Sequence, residues 1–291
     1  MSTVTARRWA VGDAVVTRVP EAGFDLVLPQ DEATTRLLAK APWLAPHFVT
    51  DEGALRIGSS AIVVESEGRR IVVDPWLAFD GPDRSSPESR ARIDRLLGGL
   101  EAAGFRADEV DVVANTHIDG VGANTRPGPA RGGGPETEPD GEEPSFPRAR
   151  YVYATKEIEA LRAGRRRGAE AIEVLLARGL VELVEPGYRL TGEVTMERAA
   201  GHAPGHLAVR IASRGASALI TGHLFLHPAQ VFAPGPRANL DEDPELAATS
   251  RKELLERCAA EGTLLIGPLF ADPGGGVVVA DAGSWRLKTA P

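Results

Sequence analysis

The sequence predicts an α/β fold in which two sets of strands are each followed by helices. Short β-branched runs bounded by Gly, Pro or Ser alternate with longer stretches of helical periodicity. The chain has 291 residues, of which 43% are hydrophobic, enough to bury one large core or two small ones. No composition shift marks a break between two cores, so residues 1–291 are read as one domain. The polar cluster Asn115-Thr116-His117-Ile118-Asp119-Gly120 follows a buried-strand run at 110–113, and the loops after strands are where α/β sheets carry chemistry.

The elements follow in order. Residues 15–19 read as an edge strand, and residues 30–41 carry helical spacing up to Pro42. Trp43, Leu44, Pro46 and Phe48 then form an apolar segment, fit either to line a pocket mouth or to pack a helix end. Residues 60–65 and 70–74 are β-rich and separated by Ser-Glu-Gly, a hairpin signature, and Asp74-Pro75 closes the second strand. Residues 88–103 are helical and lead through Gly104 to the motif strand. The stretch at about 126–145 is rich in Pro, Gly and acidic residues, with too little apolar surface to fold by itself. It reads as a flexible insertion, either a flap near the site or a segment with no role. Beyond it come a strand at 151–153 and a helix over 156–178. Strands at 181–184, 194–198, 207–211 and 218–221 are assigned to a second sheet, followed by a helix at 244–260 and late strands at 264–266 and 277–279.

Charge and cysteine usage narrow the partners. A net charge of −8 argues against nucleic acid or an anionic membrane, since phosphate binding needs clustered Lys and Arg. The one basic run, at 162–167, reads as a solvated helix end. The single cysteine, Cys258, precludes an intrachain disulfide and fits a core helix position in a reducing compartment. No apolar run has the length of a signal peptide core or a membrane span, so a soluble cytoplasmic protein acting on a small molecule is expected. Association into a homodimer is left open.

Residues 112–125 resemble the metallo-β-lactamase superfamily segment built on His-x-His-x-Asp-His. His117 and Asp119 match its second His and its Asp, whereas Asn115 and Gly120 stand where the first and third His belong. Gly201-His202-Ala203-Pro204-Gly205-His206 is similar to the family's Gly-His-Thr-Pro-Gly-His turn, and Thr221-Gly222-His223 to its Thr-Gly-Asp, whose Asp bridges two metals. Leu269, in Ile266-Gly267-Pro268-Leu269-Phe270, occupies the place of the last His ligand. Asn124-Thr125-Arg126 and the run from Phe146 to Tyr151 are similar to the branch that contains lactonases and organophosphate hydrolases.

The resemblance implies a four-layer αββα sandwich of the metallo-β-lactamase type, with a metal site in which His202 is a ligand, His206 supports it and Asp74 backs the site. Losing the bridging carboxylate at His223 removes the negative charge that lets two dications sit together. One divalent metal held by His117, His202 and His223 remains, with Asp119 close by and Asn115 a weak oxygen donor. Zinc is the default ion, and iron(II) also suits such a set. On this reading the protein is a hydrolase-like enzyme for a small ester, lactone or thioester, with Asp119 and His223 in the catalytic roles. Other readings stay open. His206 reads as a hydrogen-bonded structural histidine, His227 as a strand-end or a site residue, and Asp119 as a turn cap. If the trio is a relic, no cofactor binds, and the pocket serves a metal-free isomerase, cyclase or lyase, or a non-catalytic ligand-binding protein. His47 is assigned no role.

Overall fold

A computed structural model describes residues 6–29, 31–75, 86–118, 122–128, 141–164, 169–236 and 239–289. The strands in chain order begin with β1 (Arg7–Val11), β2 (Ala14–Leu26), β3 (Leu55–Ser66), β4 (Arg69–Val73), β5 (Val112–Ala114), β6 (Thr125–Pro127), β7 (Glu142–Pro144), β8 (Arg150–Ala154) and β9 (Val181–Val184). They continue with β10 (Tyr188–Arg189), β11 (Val194–Arg198), β12 (Leu207–Ser213), β13 (Ala216–Ile220), β14 (Leu264–Ile266), β15 (Gly275–Asp281) and β16 (Ser284–Lys288). The helices are α1 (Glu32–Lys40), α2 (Pro87–Ala102), α3 (Thr155–Arg162), α4 (Ala169–Ala177), α5 (Ala229–Phe232) and α6 (Pro244–Glu261).

One sheet has the order β1-β2-β3-β4-β5-β8-β9 and the other runs from β10 to β16 in sequence. Their inner faces pack together through alternating apolar, mostly β-branched residues: Val16, Ile62, Val64, Val73 and Val112 meet Met196, Val209, Ile211, Ile220 and Ile266. Ile93, Leu96 and Leu100 of α2, with Ile158 of α3 and Ile172 of α4, cover the outer face of the first sheet against Val63, Val72 and Val113. Leu254, Leu255 and Cys258 of α6 cover the second against Leu219, Leu265 and Val278. The result is a four-layer αββα sandwich.

Three expectations change. Residues 15–19 are not an edge, because β1 turns back through Gly12 at φ +62° and adds a further strand outside β2. β9 joins the first sheet rather than the second. The helical crossover returns the chain parallel to β8, with Tyr151 opposite Val181, as a strand–helix–strand connection favours. Residues 156–178 hold two helices, α3 and α4, with 165–168 outside the described residues. The insertion leaves from an antiparallel ribbon, Thr125 opposite Pro144 and Pro127 opposite Glu142, while residues 129–140 lie outside the described ones. Among the described residues no helix is long and apolar enough to cross a membrane.

Parallel pairing sets up the site. β4, β5, β8 and β9 run parallel, and so do β13 and β14, so their C-terminal ends collect chain segments at sheet edges. The backbone N–H of Leu207, at the start of β12, donates to the Thr116 carbonyl after β5 at 2.8 Å, joining the two edges.

Candidate metal centre

The site grows from the end of β5. Its register with β8 persists one residue past the strand, where Asn115 N–H donates to the Val152 carbonyl at 3.0 Å. Val73 pairs with Ala114, so Asp74, just after β4, faces Thr116. Thr116 donates to its carboxylate twice, from the backbone N–H at 2.8 Å and from Oγ1 at 2.7 Å. Burial raises the Asp74 pKa to about 6 against these two bonds. With the hydroxyl proton committed to Asp74, Thr116 Oγ1 accepts from His117 Nδ1 at 2.9 Å. His117 is thereby held with its proton on Nδ1 and its lone pair on Nε2.

The second sheet brings the partner. His223 sits on the single helical turn Gly222–Leu224 after β13, and its Nδ1 lies 2.9 Å from His117 Nε2. The turn is tied from below, since His223 N–H donates to His206 Nε2 at 3.1 Å. Gly222 permits this approach: its φ is +52°, and a Cβ there would stand 2.4 Å from Thr116 Oγ1 and 2.7 Å from His206 Nε2. His202 completes the group. The ligand atoms of His117, His202 and His223 all lie within 4.8 Å of one another, and all three rings are buried.

Three supporting residues carry no signal in the sequence. His202 Nδ1 lies 3.3 Å from Asp241, whose two carboxylate oxygens accept from Arg251 at 2.7 and 2.8 Å. Burial pushes the Asp241 carboxyl up, but the bonds from His202 and Arg251 outweigh it and hold the group below its ordinary pKa. Glu157, fully buried at the start of α3, accepts from Ile118 N–H and from Gly205 N–H, both at 2.7 Å. It stitches the His117 loop to the His202–His206 turn.

The other candidate residues fall as follows. Asn115 is buried, and its Oδ1 accepts from Asn124 at 2.9 Å. His227 turns away to another contact, with Nε2 2.9 Å from the Phe48 carbonyl and Nδ1 accepting from Ala229 N–H at 3.0 Å. Phe48 is buried edge-on against Phe270, Leu44 joins the same core and Trp43 packs against it, whereas Pro46 is exposed. Leu269 is buried and offers only its carbonyl, to Gly58 N–H. Asp119 and Gly120 lie outside the described residues.

The three imidazoles could hold a metal ion. Zinc takes imidazole nitrogens at about 2.0–2.1 Å in a tetrahedron, which puts donor atoms roughly 3.3 Å apart. The pair at 2.9 Å would open by a few tenths of an ångström, whereas donors as far as 4.8 Å apart would close by up to about 1.5 Å. Among the described residues no second group of three His, Cys, Asp or Glu meets the same test.

No protein-family model matches the chain, and a search of curated proteins finds no relative. Solved structures do match. AbOPH, a hydrolase in the beta lactamase superfamily, aligns with a TM-score of 0.74 and 19% identity over 100% of this chain and 99% of its own. AidC, a dizinc quorum-quenching lactonase, aligns with a TM-score of 0.72 and 14% identity over 98% and 97%. A probable metal-dependent hydrolase from Staphylococcus aureus aligns at 0.64 and 15% identity over 97% and 100%. Likeness this complete at such low identity establishes architecture rather than activity. The chain has the metallo-β-lactamase fold.

Proposed function

We propose that this protein is a metal-dependent hydrolase with a mononuclear centre at His117, His202 and His223, acting on a small ester, lactone or thioester. The observation that carries the reading is the convergence of three buried imidazoles, from three separate loops, to within 4.8 Å. The fold neighbours named as lactonase and hydrolase support the substrate class. A bound divalent cation would supply Lewis acidity toward a carbonyl oxygen.

The chain's own residues do the rest. His117 is presented with Nε2 as its lone-pair atom by the chain through Thr116 to Asp74. His206 fixes the backbone of the His223 turn. Asp119, two positions after His117, takes the proton-accepting role. The three imidazoles would add no charge of their own to a bound cation, which would favour a substrate with an electron-rich oxygen.

Protein purified without chelator should carry about one equivalent of zinc or another first-row ion and hydrolyse members of a lactone, ester and thioester panel. Less than roughly a tenth of an equivalent overturns the reading. A second reading rests on the direct His117–His223 hydrogen bond, a ready acid–base pair without a metal. Turnover that survives strong chelators would select it.

A further inference from the structure

We propose that Asp241 and Arg251 form the positioning pair of this centre: they fix the tautomer of His202 and the spacing between His202 and His223. The inference rests on the metal reading above, and its evidence is the architecture beneath the two rings.

His202 and His223 come from different loops, and one helix grips both. Arg251, on α6 and fully buried, donates from Nε to the carbonyl of Leu224, the residue after His223, at 2.6 Å. Its Nη2 reaches both oxygens of Asp241, and Asp241 meets His202 Nδ1. The backbone repeats the link. Glu242 N–H donates to the His202 carbonyl at 3.2 Å, and Asp243 N–H to the Gly201 carbonyl at 2.9 Å. Gly201 has φ +122°, and a Cβ there would lie 2.2 Å from Ala247 N, so the loop rests directly on the first turns of α6.

Charge explains why the pair is an Asp with an Arg. A lone buried carboxylate is costly, and the guanidinium, whose Nη2 meets both of its oxygens, keeps it ionised and in place. An ionised carboxylate only accepts, so the ring nitrogen facing it must carry the proton. His202 then holds its proton on Nδ1 and its lone pair on Nε2, the arrangement that metal-bound histidines adopt through such a partner.

Asp241→Ala separates this from mere packing. Oδ1 of Asp241 faces both His202 Nδ1 and Arg251 Nη2, so the Ala variant takes the acceptor from the ring and the counter-charge from the guanidinium together. No carboxylate then fixes the ring proton, and the single Nδ1–H form gives way to a mixture of tautomers. The test is long-range proton–nitrogen NMR of the six histidines in full-length, metal-free protein, with zinc affinity measured alongside by competition with a chromophoric chelator. Expected are an Nδ1–H tautomer of His202 in the wild type, loss of that single tautomer in D241A, and a zinc affinity lowered roughly 10- to 100-fold in D241A and in R251K. A wild-type His202 protonated on Nε2 overturns the proposal even if D241A fails to fold. So does a D241A tautomer or zinc affinity equal to the wild type's. Wild-type protein that takes up no zinc while the tautomer is lost as described overturns the metal reading instead.

Discussion

His117 Nε2 and His223 Nδ1 lie 2.9 Å apart although they are 106 positions apart in sequence. In the metal-free chain these nitrogens share one proton, and a cation competes with that proton for the same lone pairs. Among the described residues, Asn115 of the same motif already accepts from Asn124 through its Oδ1. His117→Ala and His223→Ala should each lower zinc affinity by more than roughly 100-fold, beyond the usual loss for a supporting partner. The check is competition titration on protein whose circular dichroism matches the wild type. An affinity retained in either variant removes that ring from the centre.

Gly222 supplies a second test, because the His223 turn needs a residue without a side chain. At φ +52° an L side chain costs about 1 kcal/mol or more, and the new methyl would press on Thr116 Oγ1 and His206 Nε2. Gly222→Ala should lower stability by roughly 2–4 kcal/mol and displace His223. Urea unfolding measures the first, and zinc titration the second. A neutral effect on both would mean that the loop has room the packing does not show.

The sequence revealed the site where chemistry is written in adjacent residues. His117, His202 and His223 are legible because each follows a strand within a short motif, and Asp74 because it closes a hairpin. The supporting layer was not legible. Asp241 lies 39 positions from His202, and Glu157 lies 48 from Gly205, so only tertiary packing shows that they meet. Beside Glu242 and Asp243, Asp241 resembles any helix-capping acid, and Glu157 reads as an ordinary first-turn glutamate. β9 was misassigned because a four-residue run shows its faces but not its partner strand.

Glu157 makes a third prediction. Its carboxylate accepts two backbone N–H groups from the two loops that carry His117 and His202. Glu157→Gln keeps the shape but sets an amide against one of those donors, leaving a buried N–H unsatisfied. The cost should be about 2–4 kcal/mol of stability, read as a shift of the urea midpoint with an unchanged slope. Glu157→Ala should cost at least as much. A Gln variant as stable as the wild type would mean that the loops hold each other without the carboxylate.

His227 should govern part of the acid limb of stability. Burial lowers its pKa from 6.5 to about 4, with the bond to the Phe48 carbonyl offsetting a part of the shift. A folded-state value below the unfolded one means that the unfolded chain binds the proton first. Stability from this group is therefore full above about pH 6.5 and falls as the pH drops toward 4, by roughly 2–3 kcal/mol at pH 4.5. The loss has a structural counterpart, because a protonated ring can no longer accept from Ala229 N–H. His227→Gln retains a donor and an acceptor but does not titrate. Its unfolding free energy relative to the wild type should rise by that amount between pH 7.5 and 4.5, measured by urea denaturation at both values. A difference that stays constant with pH would show that His227 binds its proton in the folded protein as readily as in the unfolded chain.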